Sequence, residues 1–106
     1  MNKEYFVYIL KCADDSYYVG VTNDLQRRLE EHNNSEIEIS YTFSRRPVTL
    51  VWHETHQYIN NAIAREKQLK NWSRAKKEAL INGQVEKLIP LAKKKTFLRY
   101  KNSLKK

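Results

Sequence analysis

Apolar and polar positions along the chain change period several times, and each change marks an element. Tyr5–Lys11 is a β-branched and aromatic run, Ala13-Asp14-Asp15-Ser16 is turn-forming, and Tyr17–Val21 is a second such run; together they predict a β-hairpin. In Asn23-Asp24-Leu25-Gln26, Asn23 can cap a helix with Gln26 at the reciprocal capping position, and Leu25 and Leu29 carry an apolar stripe. That predicts a first helix over about residues 24–33. Residues 33–46 read as a polar loop, and Val48–Glu54, entered through Pro47, reads as a third strand. From Tyr58 to Asn71 the residues Ile59, Ala62, Ile63 and Leu69 recur at helical spacing, with Trp72 just beyond. Ser73 can cap a further helix running to Asn82, and Gly83 stands where a left-handed residue commonly closes one. The order β-β-α-β-α-α describes an α+β fold, a small sheet with helices packed on it.

Two glycines and two prolines leave no linker or repeat, so residues 1–83 read as one domain. Beyond it, Pro90 interrupts the apolar Val85–Ile89 segment, and Lys93-Lys94-Lys95 precede a lysine-rich end. Residues 84–106 are expected to be a basic tail, weakly ordered or a short helix.

Polar residues on apolar stripes are the strongest chemical signal, because a buried charge without a partner is costly. Leu25, Arg28, Leu29 and His32 fall on one continuous helical face, which aims Arg28 and His32 at or beside the sheet. Glu66 interrupts the stripe of the second helix between Ile63 and Leu69. Structural readings compete here: Arg28 at the stripe's edge with its charge in water, Glu66 paired with Lys70 one turn on, or Arg28 and Glu66 joined as an ion bridge. In the hairpin, Tyr8 and Tyr18 can fill a core and still place a hydroxyl in a cleft. Gly20 omits a side chain mid-strand, as happens where another group approaches closely.

Composition narrows the classes. The 106 residues include a single cysteine, Cys12, which excludes an internal disulfide and a multi-cysteine metal cage; it reads as a small half-buried strand residue. No apolar run is long enough for a membrane span and the start lacks the build of a secretory signal, so the expected location is cytoplasmic. The net charge of +8 is unevenly spread: residues 1–61 carry six Lys/Arg against nine acids, residues 62–106 fourteen against three. Such a basic half suits a polyanion, nucleic acid before an anionic membrane. A solvated lysine-rich surface without a partner is the bland alternative.

Val7-Tyr8-Ile9, then Tyr18-Val19-Gly20, then Arg28, His32 four residues on, and Glu66 within Ala64-Arg65-Glu66-Lys67-Gln68-Leu69-Lys70 resemble the GIY-YIG nuclease superfamily, in particular its short standalone bacterial members of the URI-domain type. The similarity covers roughly residues 4–83. Val7 replaces a motif glycine, Val19 a motif isoleucine, and Asn71 or Asn82 are the available counterparts of a later asparagine used by some larger members. The resemblance implies a three-stranded antiparallel sheet flanked by helices and hydrolysis of nucleic-acid phosphodiesters, DNA favoured. It makes Tyr8, Tyr18, Arg28, His32 and Glu66 the catalytic candidates, with Glu66 holding one Mg²⁺ or Mn²⁺. Either Tyr8, helped by the charge of Arg28, or His32 is then the general base. Arg65, Lys67, Lys70, Arg74, Lys76 and Lys77 would bring in the phosphate backbone. A monomer is expected, and the competing reading is a nucleic-acid-binding module with little or no catalysis.

Overall fold

A computed structural model describes residues 3–34 and 41–84. The chain forms two compact units, residues 1–71 and 72–106, each described on its own. The tail expected from residue 85 onward lies outside the described residues.

The first unit holds strands β1 (Tyr5–Lys11), β2 (Tyr17–Thr22) and β3 (Thr49–His56) and helices α1 (Leu25–Asn34) and α2 (Ile59–Lys70). All pairings are antiparallel in the order β2-β1-β3, so β1 is central and Tyr8 lies between Gly20 on one side and His53 on the other. The predicted hairpin forms through a turn in which Asp15 adopts φ of 67°, a left-handed conformation that a short polar side chain tolerates. Within the same turn, Asp14 accepts from the Ser16 backbone N–H at 3.0 Å. Cys12 is fully buried just past the end of β1, rather than half-buried within a strand.

The two faces of the sheet are closed by different helices. On one, Tyr8, Leu10, Cys12 and Val48 pack with Tyr18, Leu50, and with Leu25 and Leu29 of α1. On the other, Val7, Ile9 and Val19 are buried with Ala62 and Leu69 of α2, and Arg65 of α2 reaches Glu54, the register partner of Val7. Ile59, expected on the α2 stripe, is instead 40% exposed at the helix start. A bulge in β3 sets Ile9 opposite Trp52 but Leu10 opposite Leu50, so Val51 is the extra residue. Leu50 can therefore join the α1 core although strict alternation would give it the same side as Trp52.

Two local devices fix α1. Its cap is Asp24, whose carboxylate accepts from the Arg27 backbone N–H at 3.1 Å; Asn23, expected to be the cap, accepts instead from the Arg27 guanidinium at 3.2 Å. Asp is as good a cap as Asn, so the sequence offered two adjacent starts and the helix takes the second. At the far end the Asn33 amide makes two bonds to the Val48 backbone, at 2.9 and 3.1 Å, tying the end of α1 to the approach to β3.

The second unit contains α3 (Arg74–Ile81). Ser73 caps it by accepting from the Lys76 backbone N–H at 3.2 Å, and Gly83 follows with φ of 71°, both as the sequence predicts.

Candidate active site

Tyr8 sits at the middle of the central strand and is 2% exposed, while its register partner Gly20 presents no side chain. The phenol occupies that gap: a Cβ on Gly20 would overlap its hydroxyl end, 2.5 Å from Cζ. One turn of α1 beyond Leu29, on the same stripe, His32 is 4% exposed and meets the phenol. Its Nε2 is 2.9 Å from the Tyr8 hydroxyl and its Nδ1 is 2.7 Å from Oγ1 of Thr42, which is itself fully buried. Tyr18 closes the cluster, its ring edge-on to His32 at 5.1 Å and tilted against Tyr8 at 6.3 Å.

Arg28 stands at the rim. Its side chain is 45% exposed and pairs with Glu31 at 3.3 Å, the edge-of-stripe position considered above. It nonetheless interacts with the Tyr8 hydroxyl, and that hydrogen bond is the largest influence holding the guanidinium above its ordinary pKa. Glu66 has a side chain only 16% exposed and pairs with Lys70 at 3.5 Å. Arg28 and Glu66 are thus each partnered along their own helices rather than joined as an ion bridge, and both still act on one phenol. Burial pushes the Tyr8 hydroxyl up to about 12; the Arg28 hydrogen bond and charge oppose this, while Tyr18 and Glu66 add to it. His32 moves the other way. Burial first, then the Arg28 charge, holds it below the usual imidazole range; Glu31 pulls the other way and Arg46 adds a smaller downward push, so it is neutral near pH 7.

The structure therefore brings Tyr8, Tyr18, Arg28 and His32 together and sets Glu66 within electrostatic reach of Tyr8. The six basic candidates fare differently. Arg65 is held on the opposite sheet face by Glu54 at 3.1 Å and by Gln68 at 2.8 Å. Lys67 is exposed, and Lys70 is committed to Glu66. In the second unit Arg74 pairs with Glu78 at 3.3 Å, Lys76 lies over the Trp72 ring at 5.7 Å, and partial burial pushes the Lys77 ammonium down. Asn71 and Asn82 close α2 and α3 through backbone N–H groups.

Residues 41–46, read from the sequence as polar loop, supply three further members. Thr42 fixes the His32 ring, the Arg46 guanidinium donates to the His32 carbonyl at 2.6 Å, and Tyr41 stacks on Tyr18 with centroids 6.0 Å apart. The aromatic and basic content of Tyr41-Thr42-Phe43-Ser44-Arg45-Arg46 was the available signal.

Residues 4–79 match the model of the GIY-YIG catalytic domain. The chain belongs to the GIY-YIG family. Curated GIY-YIG relatives include a UPF0213 protein of Syntrophus aciditrophicus, 43% identical over 88 residues that make up 83% of this chain and all of the relative. Another, from Bacillus pumilus, is 46% identical over 77 residues, 73% of this chain and 78% of the relative. Those names state no activity. Among solved structures, the NMR structure of protein EF2693 from E. faecalis is 32% identical, covers 86% of this chain and 91% of its own, and superposes with a TM-score of 0.53. The α+β fold with its three-stranded antiparallel sheet is thus shared with that solved structure, and a nuclease-like family is the functional class the chain joins.

Proposed function

We propose that this GIY-YIG protein hydrolyses phosphodiester bonds of nucleic acid, DNA favoured, with help from one divalent ion at Glu66. The observation that carries the reading is the Tyr8 hydroxyl, on which His32, Arg28, Tyr18 and Glu66 all bear. Hydrolysis needs a water deprotonated, the phosphate's developing charge answered, and the leaving oxygen stabilised. A phenol pushed up to about 12 is a poor reservoir of phenolate, so Tyr8 acts as a relay rather than as a standing base. With the imidazole proton on Nδ1 and donated to Thr42, His32 Nε2 accepts the Tyr8 proton as the Tyr8 oxygen takes one from water. The hydroxide then attacks phosphorus and the bond to the leaving oxygen breaks. Tyr8 and His32, rivals for the base in the sequence, divide that task between them. Arg28, half-exposed beside Tyr8, offers its planar fork to the phosphate oxygens, a geometry lysine lacks.

The donor set fits a weakly held, mostly hydrated ion. Among the described residues no group of three His, Cys, Asp or Glu could cage a metal. A single, largely buried carboxylate on a helix suits Mg²⁺ or Mn²⁺, which keep several waters and take further oxygens from the phosphate. When bound, such an ion supplies positive charge for the leaving oxygen. Lys70, 51% exposed, must release Glu66 first.

The test is cleavage of plasmid and single-stranded oligonucleotides in Mg²⁺ or Mn²⁺ by the wild type, Arg28→Ala and Glu66→Ala. Loss of cleavage in both variants supports the assignment; equal cleavage by all three proteins rejects it. The high Tyr8 pKa and the Glu66–Lys70 pair favour one rival, a binding module without turnover. That rival predicts salt-sensitive binding and no product with any of the three.

A further inference from the structure

Tyr41 is 45% exposed and stands outside the core cluster, yet its ring has neighbours that orient it. Its ring lies nearly parallel to Tyr18, 22° between planes, and the Arg45 guanidinium carbon sits 3.9 Å from its centroid. Arg45 is in turn fixed by Asp14 at 3.1 Å and by the Tyr41 carbonyl at 2.9 Å, and Asp14 is fixed by Ser16. The result is a column running from the buried His32 through Tyr18 and Tyr41 to a guanidinium at the surface. Asp14 already answers the charge of Arg45, so the outer end of the column is a flat guanidinium backed by the Tyr41 ring more than a net positive charge.

Flat surfaces of this kind stack on bases, and they do so without regard to sequence because every base has a π face. A base inside a duplex has both faces covered by its neighbours, so only an unpaired one can extend the column. We infer that Tyr41 and Arg45 form a stacking site for one unpaired nucleobase beside the scissile phosphate, which makes a single strand, or a duplex with an unpaired nucleotide, the substrate class. The inference rests on the phosphodiester reading above for its placement of the phosphate.

Binding in EDTA separates the two. A single-stranded oligodeoxynucleotide and a fully paired duplex are titrated against the wild type, Tyr41→Leu, Tyr41→Phe and Tyr41→Trp at several salt concentrations. Stacking is not ionic, so Tyr41→Leu should weaken single-strand binding about tenfold or more while the dependence on log salt keeps its slope and duplex binding changes less than about twofold. Tyr41→Phe and Tyr41→Trp should bind single strands as tightly as the wild type or tighter. Wild-type affinity in Tyr41→Leu overturns the inference, and so does weaker single-strand binding in Tyr41→Trp. Cleavage in Mg²⁺ by a protein whose binding ignores Tyr41 sinks the stacking site alone; Tyr41-dependent binding with no cleavage in Mg²⁺ or Mn²⁺ sinks the hydrolysis alone.

Discussion

Replacing Gly20 by alanine tests whether the sheet is built around the Tyr8 phenol. The added methyl would stand 2.5 Å from Tyr8 Cζ and 2.9 Å from Cε1, distances that packed carbons do not tolerate. Relief by a small shift is blocked: Tyr8 is 2% exposed, its hydroxyl is bonded to His32 at 2.9 Å, and Tyr18 packs against it. The ring must swing off the strand and lose the His32 bond, so the cost combines overpacking, about 1–3 kcal/mol, with about 1 kcal/mol for a neutral hydrogen bond. Urea unfolding should show Gly20→Ala destabilised by roughly 2–4 kcal/mol on that basis. The control is Tyr8→Leu, which lacks Cε1, Cζ and the hydroxyl, the three atoms that crowd the methyl. In that background Gly20→Ala should cost under about 0.5 kcal/mol, leaving most of the effect as coupling between the two sites. An equal cost in both backgrounds would mean that the methyl clashes with something other than the phenol.

Three further outcomes follow from the same cluster. His32 is held below its ordinary pKa in the folded protein, so the unfolded chain binds more protons at acid pH: stability should be full above about pH 6.5 and fall as pH drops from there, and His32→Gln should flatten that decline in pH-dependent melting. Thr42→Val removes the partner of His32 Nδ1 inside a fully buried site and should cost about 1–3 kcal/mol in urea unfolding, with Thr42→Ser recovering most of it; equal loss in both would assign Thr42 to packing alone. Arg28→Lys should leave melting within about 0.5 kcal/mol of wild type, since Arg28 is 45% exposed, yet lower cleavage nearly as much as Arg28→Ala, as a cleavage assay beside a melting curve would show.

How far the sequence could be read depended on periodicity. Tyr8, His32 and Glu66 were visible because each interrupts or shares an apolar stripe, and Gly20 because a strand position lacked a side chain. Order and type of all the described strands and the three α-helices followed from the same patterns. Contacts made across the chain left no such trace. Thr42 and Tyr41 lie in a segment without period, and their roles arise only when it folds back over α1 and β2. The Arg65 ion pair is a further case, because nothing local identifies Glu54, eleven residues earlier on another strand, as its partner. The β3 bulge likewise depends on how β3 meets β1, so the side on which Leu50 falls could not be counted from its neighbours. Arg28 and Glu66 show a different limit: spacing offered a local ion pair or a catalytic post as exclusive choices, whereas each side chain keeps its local partner and still acts on Tyr8.

The proposed hydrolysis places a divalent ion at Glu66, acting beside Tyr8 and Arg28. Crystals soaked in Mn²⁺, with anomalous data collected for wild type and Glu66→Gln, measure this directly. A manganese peak beside the Glu66 carboxylate in the wild type, missing from Glu66→Gln, is expected. Manganese bound elsewhere with none at Glu66, in crystals of a protein that cleaves nucleic acid in the same Mn²⁺ buffer, would contradict it.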